Sequence, residues 1–265
     1  MNFNLFEILT YFIIYSVLGW IMESIVRSIC EKKIINTGFL KGPCCPIYGV
    51  GAIIMLLFLD GFENKPILIF FIATIILTLW EYVVGVMLEK LFDTKYWDYS
   101  DQKFNFQGRI CLVNSICWGV LGVVFVKYIH PFVQSTISNV DKNILIYTIT
   151  ICTIVFIVDM IVSIINVKNI KSTLAKIEEM NKEIKEKLNE LKNINIKKEK
   201  EIEKLAEENI QEIIEKLKRR RNKTVLRLYR NVHRLKKAFP AINTKEITEV
   251  LNRKIELKKK KGKNK

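Results

Sequence analysis

Several signatures of enzymes are missing from this 265-residue chain. It has no G-x-x-x-x-G-K-[ST] phosphate-binding loop, no G-x-S-x-G nucleophile elbow and no H-E-x-x-H zinc motif. Histidine occurs only twice, at His130, which we expect on an outer loop, and at His233 in the tail. A histidine-based catalytic centre is therefore not expected. We predict that the chain is not an enzyme and binds no cofactor.

The features of a secreted protein are missing as well. The first 20 residues lack the basic stretch and the small-residue cleavage site of a signal peptide, so we expect a retained first membrane helix. The six cysteines lie in or beside apolar runs, without the spacing of a disulfide scaffold. Cys44 and Cys45 are adjacent, but no histidine or second cysteine pair lies nearby. They are better explained as small apolar side chains that fill space in the core than as metal or redox ligands, and we predict no metal site.

The charge and the apolar content of the chain change abruptly near residue 165. Residues 1–165 hold 11 Lys and Arg and 12 Asp and Glu, a net charge of −1. Residues 166–265 hold 31 and 15, a net charge of +16, so the whole basic excess belongs to the tail. The apolar runs lie before the same point. The composition predicts a transmembrane bundle over 1–165 and a charged cytoplasmic tail.

Five apolar runs have about the length of roughly 20 residues that a helix needs to cross a bilayer. They lie at 5–26, 42–60, 66–90, 110–130 and 144–165. The run 42–60 is a poor helix candidate at its start, because Pro43 and Pro46 lack backbone donors. We therefore expect a broken or re-entrant segment there. We predict an all-α membrane protein with a bundle of about five transmembrane helices and a coiled-coil-like helical tail.

Basic residues in the short loops predict the orientation. Loops 27–41 and 90–109 carry eight Lys and Arg, and the opposite side carries three. The basic tail falls on the side with the eight. With five spans this places the N-terminus outside and the tail in the cytoplasm.

Polar residues within the spans collect in the cytoplasmic half and predict a polar vestibule that opens to the cytoplasm. Glu81 is the strongest functional candidate among them, because a carboxylate inside a span is a functional candidate by default. It could bind a cation, relay a proton or form a structural pair with Arg27 or Arg109. Glu23 and Arg27 lie four residues apart and could pair, either in the vestibule or as an interfacial anchor. The vestibule candidates are Glu23, Arg27, Glu81, Glu89, Arg109 and Asn114.

Two further stretches qualify as functional candidates. The aromatic loop with Trp97, Asp98 and Tyr99 predicts a lid or docking surface, although an interfacial aromatic belt would have the same composition. The stretch 38–51 holds four glycines and two prolines, which indicate a broken helix whose free backbone groups could face a substrate. Its candidate positions are Gly42, Pro43, Pro46 and Gly49.

The tail divides into two parts by pattern. Residues 166–217 repeat apolar side chains in steps of three and four, with Asn181 and Asn195 in the series, which predicts a stalk. It could pair between subunits, fold back as a hairpin or remain a solvated helix. Residues 218–265 begin as a basic amphipathic helix stopped by Pro240 and end in a basic, disordered C-terminus. We expect anionic lipid rather than nucleic acid as its partner, because the sequence has no nucleic-acid recognition motif.

Several motifs together resemble a known family. They are YSVLGWIMESIVRSI (15–29), GFLKGPCCPIYGVGA (38–52), WEYVVGVMLEKLF (80–92), YWDYSDQKFNFQGRICLVNSICWG (96–119) and the pair His130-Pro131. With them the sequence resembles the bacterial membrane proteins described as ABC-transporter type IV, of the CmpB type. The resemblance implies a polytopic inner-membrane protein that acts as the permease-like partner of a separate ATPase. The long stalk lies outside it.

The sequence supports three functional hypotheses. The leading one is a permease-like membrane subunit, which we expect to form homo-oligomers because five spans are few for a complete transport path. The second is a membrane scaffold or sensor that acts through its cytoplasmic tail. The third, an intramembrane enzyme using the carboxylates with the stretch 97–99, lacks a recognisable nucleophile and base.

Overall fold

The computed structural model describes residues 4–92, 95–194, 202–239 and 241–242. Within them the chain is helical apart from loops and one short hairpin, which confirms the predicted all-α fold. The elements are α1 (Leu5–Cys30), α2 (Pro46–Leu59), α3 (Pro66–Phe92), β1 (Asn105–Phe106), β2 (Ile110–Cys111), α4 (Leu112–Val124), α5 (His130–Ser138), α6 (Lys142–Ile194) and α7 (Ile202–Ala238).

Four helical runs are long and apolar enough to cross a membrane. They are Leu5–Cys30, Pro66–Phe92, Leu112–Ser138 and Lys142–Ile170. The remaining predicted span, 42–60, is helical only over the 14 residues of α2. Such a helix extends for about 21 Å, whereas the hydrocarbon core is about 30 Å thick. The predicted count of five spanning helices is therefore not confirmed.

The run Leu112–Ser138 contains a π-helical segment, Phe125–Ile129, between α4 and α5. At its end the His130 N–H bonds to the carbonyl oxygen of Phe125, five residues back. Pro131 follows directly, and its ring and missing N–H disturb the regular ladder. The expected outer loop at His130 is wrong, because His130 lies inside this run. It is buried, and its Nδ1 lies 2.8 Å from the Tyr15 hydroxyl.

An irregular segment, residues 34–45, connects the end of α1 to α2. It is buried at Ile35, Thr37 and Leu40. Buried backbone groups need partners, and side chains supply several of them here. The Ile35 N–H donates to Ser28 Oγ at 3.0 Å, and the Cys45 N–H donates to the carbonyl oxygen of Ser16 at 2.9 Å. The predicted broken helix is thus an irregular chain that becomes helical at Pro46.

Small residues let the helices pack in two close pairs, α1 with α2 and α3 with α4. A Cβ atom added at Gly49 would collide with Ser16 Oγ and the carbonyl oxygen of Phe12. A Cβ atom at Gly122 would collide with the Cβ of Ala73. Backbones approach this closely only where side chains are absent or very small.

The described residues form two compact units. The bundle unit contains the chain up to Ile164 together with Leu235–Ile242, and the stalk unit contains Ile165–Arg234. We call the end of the bundle unit that carries segment 34–45 and the loop 95–111 its basic end.

The stalk unit is a hairpin made from the second part of α6 and most of α7. Arg221 Nη1 donates to Asn181 Oδ1 at 3.2 Å, and Asn231 Nδ2 donates to Asn166 Oδ1 at 3.5 Å. Because the later residue of α7 meets the earlier residue of α6, the two helices run antiparallel. Of the predicted arrangements, the structure has the folded-back one. Coiled-coil packing stays a prediction, and Asn195 lies outside the described residues. The buried side chains are Ile170, Leu174, Ile177, Ile184, Ile214, Leu217, Val225, Leu228 and Val232.

Candidate functional site

Glu81 lies in the second half of α3 with only 4% of its surface exposed. Its Oε1 accepts hydrogen bonds from the Tyr99 hydroxyl at 3.1 Å and from Asn114 Nδ2 at 2.7 Å. Its Oε2 accepts one from Trp118 Nε1 at 2.9 Å. An ionised carboxylate is an acceptor only, so three protein donors here replace water around it. We call Glu81, Tyr99, Asn114 and Trp118 the Glu81 cluster.

Sequence spacing explains why α4 supplies two of these donors. Asn114 and Trp118 are four residues apart and therefore share one face of the helix. α4 begins at Leu112, directly after the hairpin strand β2, so Asn114 lies in its first turn. The sequence analysis singled out Glu81, Tyr99 and Asn114, which the structure brings together. It missed the role of Trp118, although the spacing from Asn114 was the available signal.

An ion pair with Arg27 or Arg109, one of the alternatives for Glu81, is not found among the described residues. Arg109 bonds instead to Glu89, with Nε at 3.0 Å and Nη2 at 2.7 Å from Glu89 Oε2. Arg109 also donates to the side chain of Gln107, and its guanidinium lies 5.8 Å from the ring centre of Tyr82. Glu89 lies about 12 Å further along α3 than Glu81, so the arginine meets the carboxylate nearer the basic end. Among the described residues, the hydrogen-bond donors to Glu81 are the neutral side chains of its cluster.

The expected pairing of Glu23 with Arg27 is also wrong. Arg27 Nη2 forms its ion pair with Glu31, at 2.9 Å, one turn further along α1. The side chain of Tyr48 faces the carboxylate of Glu23. The Cys45 thiol lies 3.9 Å from Glu23 Oε2, so two residues at the start of α2 face this carboxylate. The charge of Arg27 still acts on Glu23, but the ion pair of Arg27 is with Glu31.

Tyr99 connects the surroundings of the two carboxylates. Burial raises the pKa of its phenol above the ordinary value, and the negative charges of Glu81 and, more weakly, Glu23 raise it further. The phenol therefore keeps its proton at neutral pH and remains a donor to Glu81. Tyr48 packs its ring 5.8 Å from the ring of Trp118, so the residues around Glu23 also touch the Glu81 cluster.

The loop 95–111 is an ordered structure that positions Tyr99. Trp97 Nε1 donates to the carbonyl oxygen of Arg109 at 2.8 Å, and the Tyr99 N–H donates to that of Gly108 at 2.7 Å. Gly108 has a φ of +69°, which a side chain would strain. Hydrogen bonds from Ser100 hold the pKa of Asp98 below its ordinary value. Asp98 and Trp97 thus stabilise the loop, and Tyr99 is its contact with Glu81.

The broken-helix positions hold their backbone groups through Asp159 of α6. Asp159 Oδ2 accepts from the Gly42 N–H at 2.7 Å, and Oδ1 accepts from the Lys41 N–H at 3.3 Å. Pro46 occupies the first turn of α2, where no N–H is needed. The amide expected to be free at Gly42 is therefore bonded within the protein. Pro43 lies beside it in segment 34–45.

One small cavity lies among the candidate residues. A cavity of about 10 Å³ lies between Gly85, Glu89, Trp97 and Arg109. That volume holds about one water molecule. The predicted vestibule is therefore not confirmed. Across the described parts of the chain, no group of three or more His, Cys, Asp or Glu side chains is arranged to hold a metal ion.

Comparison with known proteins identifies the bundle. The family model described as "Putative ABC-transporter type IV" matches residues 10–164. No curated protein and no solved structure matches the chain. The match contains α1 to α5, the first part of α6 and the four residues of the Glu81 cluster. With four helices apolar enough to cross a membrane, this is a membrane protein, and the chain belongs to the family described as "Putative ABC-transporter type IV".

Proposed function

We propose that this protein is a permease-like subunit of an ABC transport system and that the Glu81 cluster lies on its transport path. The observation that carries the proposal is Glu81 itself, a 96% buried carboxylate within an apolar helix and without a basic partner in the cluster. Ionisable groups inside the membrane are costly, and they are kept where substrates, ions or protons pass.

The proposed topology has five crossings of a bacterial plasma membrane. Segment 34–45 and α2 together form the second crossing, part irregular and part helical. This is supported by the Cys45 N–H bond to Ser16, which places the start of α2 beside the middle of α1. The excess of Lys and Arg in the loops of the basic end supports an orientation with the N-terminus outside and the tail in the cytoplasm.

The proposed path begins at the basic end, in a vestibule that forms when the loop 95–111 moves away. Tyr99 would leave Glu81 with that movement and expose the carboxylate to the cytoplasm. Glu23 and Glu89 would add negative charge, and Arg27 and Arg109 would balance it. Irregular backbone at membrane depth, as in segment 34–45, is typical of transport proteins, where it borders a path.

A separate ATPase is the partner that the proposal requires. The sequence has no phosphate-binding loop of its own, so energy from ATP would come from another subunit. We further propose that the protein is a homo-oligomer, that it has no enzyme activity or cofactor, and that its basic tail binds anionic lipid.

A pull-down from native membranes in mild detergent, analysed by mass spectrometry, tests the partner. Full-length protein is compared with a 1–168 truncation. Retention by both forms of an ATPase that contains a phosphate-binding loop supports the permease proposal and assigns its docking to the bundle. If neither form retains such an ATPase, the proposed partner is wrong.

Glu81→Gln tests the path directly, because it removes the charge with little change in volume. We expect unchanged membrane insertion and loss of the growth or transport phenotype in a strain that depends on the protein. Leu79→Ala is the matched control, since Leu79 lies on the same helix with 59% of its surface exposed. Wild-type function in Glu81→Gln would contradict the assignment of Glu81.

One observation favours a second candidate, a membrane scaffold or sensor. α6 is a single helix of 53 residues that begins in an apolar span and continues into the stalk hairpin. An unbroken helix can pass a shift between its two ends. This candidate predicts that deletion of 170–265 abolishes function while Glu81→Gln has little effect. A deletion that keeps full function would exclude it.

A further inference from the structure

The end of α7 from Leu235 onward, together with Phe239, Ala241 and Ile242, packs within the bundle unit. Ala238 and Ile242 are buried, and Phe239 is 9% exposed. The ring of Phe239 meets the ring of Tyr96 edge-on, with 4.8 Å between the centroids. Tyr96 in turn packs against the rings of Phe39 and Phe92, both at 5.9 Å. An aromatic cluster at the basic end therefore includes a residue from the far end of the sequence.

Two basic side chains fix this segment by polar contacts. The Arg27 guanidinium donates to the carbonyl oxygen of Ala238, the last residue of α7. The final carbonyls of a helix lack donors within it and carry partial negative charge, so a cation at this position caps the helix. Lys237 Nζ donates to the carbonyl oxygen of Ile34. Arg27, expected from the sequence in the vestibule, is thus bonded to the tail.

The residues that these contacts hold belong to the two segments that cover the buried carboxylates. Ile34 begins segment 34–45, which ends at Cys45 with its thiol facing Glu23. Tyr96 belongs to the loop 95–111, in which Tyr99 bonds to Glu81. One short piece of the tail therefore contacts both coverings at once.

We propose that residues 235–239 with Ala241 and Ile242 form a strap that keeps both coverings closed, so that release of the strap exposes Glu23 and Glu81 at the basic end. The strap would make access to the carboxylates depend on the tail. This goes beyond the proposed permease role and does not require it, because the contacts and their tests involve neither a transported substrate nor an ATPase.

Hydrogen–deuterium exchange of the full chain in mild detergent tests the strap. In Phe239→Ala we expect amides of segment 34–45 and of the loop 95–111 to exchange at least about tenfold faster, with α3 amides around Leu77 unchanged. Leu226→Ala, at a half-exposed position of the same helix α7, is the matched control and should change neither segment. Faster exchange confined to residues near 239 would overturn the proposal.

Thiol labelling provides a second measurement that tolerates a milder variant. In a background with the other five cysteines replaced by Ala, Cys45 is 3% exposed and should react slowly with a maleimide. Lys237→Met removes the bond to Ile34 but keeps the length of the side chain, and we expect it to raise the labelling rate about threefold or more. An unchanged rate in Lys237→Met, with the unfolded protein labelled fully as a reference, would also overturn the strap.

Discussion

Trp118 of α4 donates a 2.9 Å hydrogen bond to the carboxylate of Glu81 on α3. The bond joins an indole to a buried charge that meets only neutral donors in its cluster. Hydrogen bonds to charged groups contribute more than neutral ones, and a buried acceptor that loses its donor has no water to replace it. The pair should therefore matter for the stability of the bundle as well as for any transport.

Trp118→Phe should lower the free energy of unfolding by about 2 kcal/mol, because it removes the donor and keeps most of the ring volume. Denaturant unfolding in detergent micelles measures the loss. Trp20→Phe is the comparison, since the indole of Trp20 donates to the neutral Asn36 Oδ1 at an exposed position. We expect that loss to stay at about 1 kcal/mol or less. Equal losses would contradict the importance assigned to the charge.

Gly49→Ala should destabilise the bundle by at least about 2 kcal/mol, because the new methyl group would collide with Ser16 and with the backbone of Phe12. Gly51→Ala on the same helix is the control. The nearest atom to its added Cβ is at 3.5 Å, so the change should be neutral or slightly stabilising. Thermal unfolding of the two variants decides the matter, and a tolerated Gly49→Ala would show that α1 and α2 can separate at little cost.

Asp159→Leu should loosen segment 34–45, because the amides of Lys41 and Gly42 would lose their acceptor. We expect a loss of about 1–3 kcal/mol and faster amide exchange at Gly42. Ser163→Ala is the control, since Ser163 touches the same carboxylate at 3.3 Å without bonding the segment. Exchange at Gly42 that is equal in the two variants would show that Asp159 is not the anchor.

The ion pair between Arg109 and Glu89 should have a measurable coupling energy in a double-mutant cycle of Arg109→Gln and Glu89→Gln. Both side chains are partly exposed, at 19% and 32%, so about 1 kcal/mol is expected. The pair of Lys187 with Glu190 in the stalk, with side chains 32% and 48% exposed, should give less. A coupling near zero for Arg109 and Glu89 would reduce the pair to a surface contact.

The sequence predicted the long spans well, because the apolar runs around Thr10, Ala73 and Ile149 are long and uninterrupted. It also identified the disturbed start of α2 from Pro43 and Pro46. It offered an arginine only as one possible partner of Glu81, since any arginine near the same end of the bundle satisfies a charge argument. Arg109 bonds to Glu89 rather than to Glu81 because of where the loop 95–111 lies along α3. No spacing within one helix records that position.

The partners of Arg27 show the same limit over a longer distance. Glu23 and Glu31 both lie four residues from Arg27, so the helix pattern alone permits either pair. The contact with Ala238 joins residues 211 positions apart. Helical periodicity predicted the amphipathic tail but contains no information about where the tail ends in space.

The close glycine contacts of the bundle have a mechanical consequence. Helices seated backbone against backbone cannot slide past each other by a turn without driving a side chain into the space at Gly49 or Gly122. We therefore expect each close pair to move as one rigid unit, with any movement taking place between the two pairs. The two pairs meet in a shared buried core and through the 3.0 Å bond from Trp80 Nε1 to the carbonyl oxygen of Ile47. Glu23 belongs to one helix pair and Glu81 to the other. A change in the angle between the two pairs would therefore change the distance between the two buried carboxylates.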